Sequence, residues 1–175
     1  EKLIIMKKVK IGIVGHGFVG KATDNGFQKN VEKFNVDPKL GTTVSQLAEF
    51  KPKLVFICVP TPMHDDGTQD ASIIESVIKE LREKIPDAIR VIKSTVLPNI
   101  LMKIQKFDEK IIYNPEFLRE KHAFEDFINS KIIIFGGNKK NCEIVSEVYK
   151  SHSNCLTRDY IFTDLISASL IKYSV

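Results

Sequence analysis

Three glycines spaced Gly15-x-Gly17-x-x-Gly20 follow the apolar run Ile11–Val14, and helical spacing resumes behind them with Val19, Ala22, Gly26 and Phe27 on one face. A strand, a glycine turn and a helix in that order can hold a pyrophosphate. Gly15 permits the tight turn, Gly17 lets the phosphates reach the backbone, and Gly20 lets the helix pack closely on the strand. The anion then meets the free N–H groups of the helix N-terminus. Asp37 follows Gly20 by 17 residues and closes a second apolar segment, Phe34-Asn35-Val36, where dinucleotide-binding chains carry an acid. Glycines also collect in ordinary turns, but the readable strand and helix on either side favour a dinucleotide site.

Further candidates stand where apolar runs stop. Pro60-Thr61-Pro62 ends Leu54–Val59, Ser94-Thr95 ends Ala88–Ile92, and Asn114-Pro115-Glu116-Phe117-Leu118-Arg119-Glu120 follows Lys110–Tyr113. Loops at carboxyl ends of strands carry ligands in open α/β sheets. The hydroxyls of Ser94 and Thr95 suit either a cap on the next helix or a cofactor crevice. Glu116, Arg119 and Glu120 suit either a solvated turn with an ion pair or a reactive cluster. His64, Asp65 and Asp66 are adjacent, and neighbours rarely converge on one ion, so turn chemistry is preferred and no metal is expected.

The elements that must position these residues alternate. Runs at Ile11–Val14, Phe34–Val36, Leu54–Val59, Ala88–Ile92, Lys110–Tyr113 and Lys131–Phe135 predict strands, with a short last strand at Cys155–Thr157. Between them, Thr43–Phe50, a segment N-capped by Asp70 with Ile73, Ile74, Val77, Ile78, Leu81 and Ile85 at a 3.6 period, Ile100–Phe107 and Cys142–Tyr149 predict helices, and Thr163–Val175 is helical in pattern. Alternation of this kind predicts a doubly wound, mainly parallel sheet in a three-layer αβα sandwich.

A chain of 175 residues suits one domain that buries about 70% of its unfolded surface. Its 26 basic residues against 22 acids are scattered, without a run or aromatic interleaving, which argues against a nucleic-acid partner. Cys58, Cys142 and Cys155 make no CxxC or Cys/His spacing, so a disulfide framework is not expected and a reducing, cytoplasmic setting is. Leu3–Met6 is too short to cross a membrane.

Taken in order, Gly15–Gly20, Val55–Pro62, Ser94-Thr95-Val96, Asn114–Glu120 and Leu170-Ile171-Lys172 resemble the UDP-glucose/GDP-mannose dehydrogenase family, with members acting on UDP-glucose nearest in pattern. The resemblance implies a Rossmann-type NAD-binding domain over residues 9–160, an extension over 1–8, and the start of a linking helix over 161–175. By motif position it implies that Gly15, Gly17, Phe18, Val19 and Gly20 carry the pyrophosphate. Asp37 would hold the adenosine ribose, and Val59, Thr61, Ser94, Thr95 and Glu120 would line the nicotinamide side. An acid at Asp37 also repels a 2′-phosphate, so NAD is expected rather than NADP. Glu116 would match a general-base or water-positioning carboxylate, Phe117, Leu118 and Arg119 a substrate loop, and Lys172 the lysine that stabilises developing oxyanion charge.

The implied reaction oxidises a nucleotide sugar, UDP-glucose to UDP-glucuronate, by two hydride transfers to NAD with a cysteine thioester between them. None of the three cysteines matches the position of that thiol, which in the family lies downstream of Val175. The expectation is therefore an NAD-binding domain inactive alone, whose full-length form is a homodimer. The alternatives are a dehydrogenase of UDP-N-acetylmannosamine or GDP-mannose, and a short non-catalytic NAD- or nucleotide-binding protein.

Overall fold

Why the runs become one sheet is clearest at β3 (Leu54–Ile57), where all four side chains are buried, as a parallel strand covered on both faces requires. The computed structural model describes residues 8–174, so the extension expected over residues 1–8 lies outside the described residues except for Lys8. The other strands are β1 (Val9–Val14), β2 (Val31–Val36), β4 (Ile89–Ile92), β5 (Ile112–Tyr113), β6 (Ile132–Gly136) and β7 (Asp159–Thr163). The helices are α1 (Phe18–Gly26), α2 (Val44–Phe50), α3 (Ser72–Lys84), α4 (Pro98–Phe107), α5 (Ala123–Ile128), α6 (Lys139–His152) and α7 (Leu165–Ser174).

The strands lie in the order β2-β1-β3-β4-β5-β6-β7, with every pair parallel except β5 and β6. Because β2 and β3 flank β1 on opposite sides, the chain changes direction there and a crevice opens at the carboxyl end of β1. Two apolar clusters fill the faces. Leu47, Ile74, Ile78, Leu101 and Ala168 bring α2, α3, α4 and α7 to one side. Ala22, Phe127, Val145 and Tyr149 bring α1, α5 and α6 to the other. The doubly wound, three-layer αβα expectation is therefore met.

Three local expectations need correction. Residues 155–157 are not the last strand: Leu156 N donates to Ile128 O, Cys155 Sγ to Phe127 O and Thr157 Oγ1 to Ser130 O, so the segment is tied to the end of α5. The strand is β7, four residues later, and it includes 161–163, which the predicted boundary had assigned to the linking helix. Asp70 does not cap α3 directly; its Oδ1 accepts from Ser72 N at 2.9 Å in a turn that precedes the helix, and Ala71 occupies the cap position.

β4 carries one charge into the interior. Arg90 and Asp108 are both buried and doubly bonded, Nε to Oδ2 and Nη2 to Oδ1, while Arg90 Nη1 donates to Ala88 O at 3.0 Å. Removing one partner would leave a charge buried and unpaired. Asp108→Ala should lower stability by about 3–5 kcal/mol, read as a fall in the urea midpoint at unchanged slope.

Candidate functional site: a glycine cradle and a Glu116–Lys172 corner

The glycine turn is shaped by contact on two sides and open on the third. Gly15 has φ +102°, and a Cβ there would fall 2.4 Å from Cys58 O. A Cβ on Gly20 would fall 1.9 Å from Gly15 O, because α1 crosses the turn at backbone contact. At Gly17 an added Cβ meets nothing within 4 Å. No side chain caps α1 and no acid lies in its first turn, so its positive end faces the crevice without competition. Phe18 is exposed at that end, and Val19 packs against the core.

Asp37 sits beside this turn at the carboxyl end of β2. Its Oδ1 accepts from Lys39 N at 2.8 Å and its Oδ2 from His16 N at 2.7 Å. These two N–H groups, Lys39 first, hold the carboxyl below its ordinary range, so it is an anion at neutral pH. Around it, His16 Nδ1 and Asn35 Oδ1 are buried without a hydrogen-bond partner among the described residues. An uncapped helix start, an open glycine and a fixed carboxylate beside them could hold a dinucleotide.

The hydroxyls behave differently. Ser94 Oγ donates to Val59 O at 2.7 Å and Thr61 Oγ1 to Thr95 O at 2.7 Å. Gln69 adds Nε2 to Thr95 O at 2.8 Å and accepts from Leu97 N at 2.9 Å. They stitch the loop after β3 to the loop after β4, shaping the crevice wall from within.

Farther along the sheet, Glu116 and Lys172 meet from 56 residues apart. Lys172 Nζ donates to the Glu116 carbonyl, stands 3.7 Å from Glu116 Oε1 and lies 5.1 Å from the centre of the Phe117 ring. The carboxylate accepts from Leu118 N at 2.6 Å, and the two side chains are only 9% and 18% exposed. α7 delivers the lysine: Ser169 Oγ bonds Val96 O at 2.8 Å, and Ala168 sits on Gly136, where a Cβ would lie 2.6 Å from the alanine Cβ.

The rest of the loop divides. Arg119 turns outward, its Nε, Nη2 and backbone N all on Asp126, whose carboxyl this arginine pushes down to about 2. The ion-pair reading therefore describes Arg119 in this structure. Glu120 begins a short 3-10 turn and reaches the α1 side, lining a cavity of about 360 Å³ with Phe18, Lys21 and Phe124. No group of three or more His, Cys, Asp or Glu could hold a metal among the described residues.

The model of the UDP-glucose/GDP-mannose dehydrogenase family, NAD binding domain, matches residues 22–153. The chain belongs to this family. It is 38% identical to a UDP-glucose 6-dehydrogenase of Rickettsia bellii over 68% of this chain and 29% of that one. It is 29% identical to a GDP-mannose 6-dehydrogenase of Pseudomonas savastanoi pv. phaseolicola over 97% of this chain and 42% of that one. In fold it is similar to a UDP-glucose dehydrogenase of Pyrobaculum islandicum, with a TM-score of 0.76 at 22% identity, covering 95% of this chain and 49% of that structure. The chain thus spans less than half the length of each of these proteins.

As a UDP-glucose/GDP-mannose dehydrogenase NAD-binding domain, the chain takes NAD. No helix of the described residues is long and apolar enough to cross a membrane. The three cysteines are free thiols; burial pushes Cys58 up to about 12 and Cys142 to about 11, and raises Cys155.

Sequence reasoning missed the cation beneath the Glu116 loop. Lys93, 3% exposed at the carboxyl end of β4, donates to Asn114 Oδ1 at 3.0 Å and to Tyr149 Oη at 3.1 Å, with the Phe127 ring centre 5.5 Å away. Its signal was a lysine between the apolar end of a parallel strand and Ser94, where another core residue would be expected. Burial pushes the Lys93 ammonium below the ordinary lysine value of 10.5, partly offset by the Glu116 charge. Between the folded and unfolded values the folded chain binds fewer protons, so this group makes stability rise with pH in that window. Urea titrations from neutral to alkaline pH should show that rise in the parent relative to Lys93→Met, which lacks it.

Proposed function

We propose that the chain is the cofactor-binding part of a nucleotide-sugar dehydrogenase that oxidises UDP-glucose to UDP-glucuronate. The observation that carries the reading is the Glu116–Lys172 corner beside Phe117, built on the same sheet end as the glycine cradle. A fixed ammonium next to a carboxylate, both largely withdrawn from water, is suited to alcohol oxidation. Glu116 takes the hydroxyl proton, directly or through a water it positions, while Lys172 faces the oxygen that gains negative charge. NAD, when bound, would supply the hydride acceptor. Phe117 and Leu118 would border the sugar, and Glu120, on the α1 side, would border the nicotinamide.

None of Cys58, Cys142 and Cys155 is assigned to the covalent step of the acid-forming oxidation, since burial holds all three as thiols. In this reading α7 begins the helix joining the domain to a further half and to a homodimer partner. The likeness to a GDP-mannose 6-dehydrogenase along nearly the whole chain supports the alternative substrate.

Two measurements test the proposal. Calorimetric titration of this chain should show NAD binding more tightly than NADP, and Asp37→Ala should weaken NAD by about tenfold and narrow the difference. Equal titration curves for the two cofactors in the parent would remove Asp37 from the ribose site. NADH formation by the polypeptide as its source cell makes it should be fastest with UDP-glucose. A faster rate with GDP-mannose or UDP-N-acetylmannosamine would reassign the substrate.

A further inference from the structure

β7 is the last strand of the sheet; among the described residues nothing pairs with its outer side. Asp159 N donates to Lys131 O at 3.3 Å, and Thr163 O accepts from Gly137 N at 2.9 Å. With the register unbroken from Ile132↔Asp159 to Gly136↔Thr163, residues 159, 161 and 163 turn their backbone groups toward β6. Tyr160 and Phe162 therefore turn theirs to the open edge. Natural edges are usually blunted by proline, lysine or a bulge, and β7 has none of the three. Instead Ile161 and Phe162 are 41% and 40% exposed. Tyr160 and Phe162 both lean on Phe135, with ring centres at 6.4 and 6.0 Å, so the edge carries an aromatic face.

Charge selects the occupant. Arg158 precedes the strand and Asp164 follows it, both exposed. An antiparallel strand of the same sequence, centred on Ile161, sets Tyr160 opposite Phe162 and Arg158 opposite Asp164, each twice by the two-fold. In that register the residues with outward backbone groups face one another, as the hydrogen-bonded pairs of an antiparallel ladder must. A register centred on Tyr160 would set Arg158 against Phe162 and leave the charges unmatched. Asp164 already accepts from Ser167 N and Oγ at the start of α7, and a carboxylate has lone pairs for a further donor.

We infer that β7 is a self-association edge on which a second copy of this chain adds its own β7, antiparallel, so that one sheet runs through the dimer. This surface is separate from the cradle and from the Glu116–Lys172 corner, and does not rest on the proposed substrate.

Sedimentation velocity of this chain at about 100 μM, a concentration suited to a modest two-strand interface, should give twice the 19.8 kDa monomer mass. Arg158→Asp and Asp164→Arg should each weaken the dimer by at least about tenfold, because each variant repels its own copy. Mixed together they should dimerise again, since each then meets the opposite charge. Hydrogen exchange of the unmodified chain gives a measurement free of substitutions: the Tyr160 and Phe162 amides should lose protection on dilution while the Ile161 amide keeps it. A monomeric parent, variants that dimerise like the parent, a mixture that stays monomeric, or edge amides indifferent to concentration would each overturn the inference.

Discussion

A single buried ammonium joins the parts on which the Glu116–Lys172 corner stands. Lys93 at the end of β4 holds Asn114 at the end of β5, and Asn114 in turn donates to Ile134 O on β6 and accepts from Tyr149 on α6. Four elements thereby share one polar node inside an otherwise apolar layer. The chain leaves that node as Pro115-Glu116, so the carboxylate's backbone is anchored before any ligand arrives. Burying a cation is costly unless its donors are used. Here two oxygens and two aromatic faces receive it, and no carboxylate lies within ion-pair distance among the described residues.

Much of this architecture was readable from period and punctuation. β3 and α3 announce themselves because a buried parallel strand is continuously apolar and a surface helix is not. Gly15 and Gly20 were readable too, since their conformations and close contacts leave no room for another residue. β7 was not: Asp159-Tyr160-Ile161-Phe162-Thr163 is half exposed, so neither an alternating nor a continuous pattern marks it, and Cys155-Leu156-Thr157 looked the better strand. The β5–β6 pair runs antiparallel, and nothing in Lys131–Phe135 could have told its direction. That information resides in the route taken by Arg119 through Ser130.

Site residues divide along the same line. Features that depend on the backbone, such as the open face at Gly17 and the Asp37 carboxylate fixed by two N–H groups, follow from residue type. Roles that depend on where a side chain turns do not. Ser94 and Thr61 sit at strand ends as expected, yet their hydroxyls lace two loops together, because a buried hydroxyl near unpaired carbonyls takes the nearest one. Arg119 had Asp126 seven residues ahead, a partner no motif displays.

The lysine of the Glu116–Lys172 corner rides on α7, an element held by Leu165, by Ala168 against Gly136, by the Ser169 hydroxyl bond and by the partly buried Ile166 and Ile171. The cradle, by contrast, is complete within the first 37 residues and their neighbouring strand. A surface helix can open locally at less cost than the core strands beneath it. Loosening of α7 would strip the ammonium from Glu116 while leaving the glycine turn intact, so the domain has two degrees of readiness. In the proposed reading, cofactor recognition at the cradle survives a partial opening and charge stabilisation by Lys172 does not.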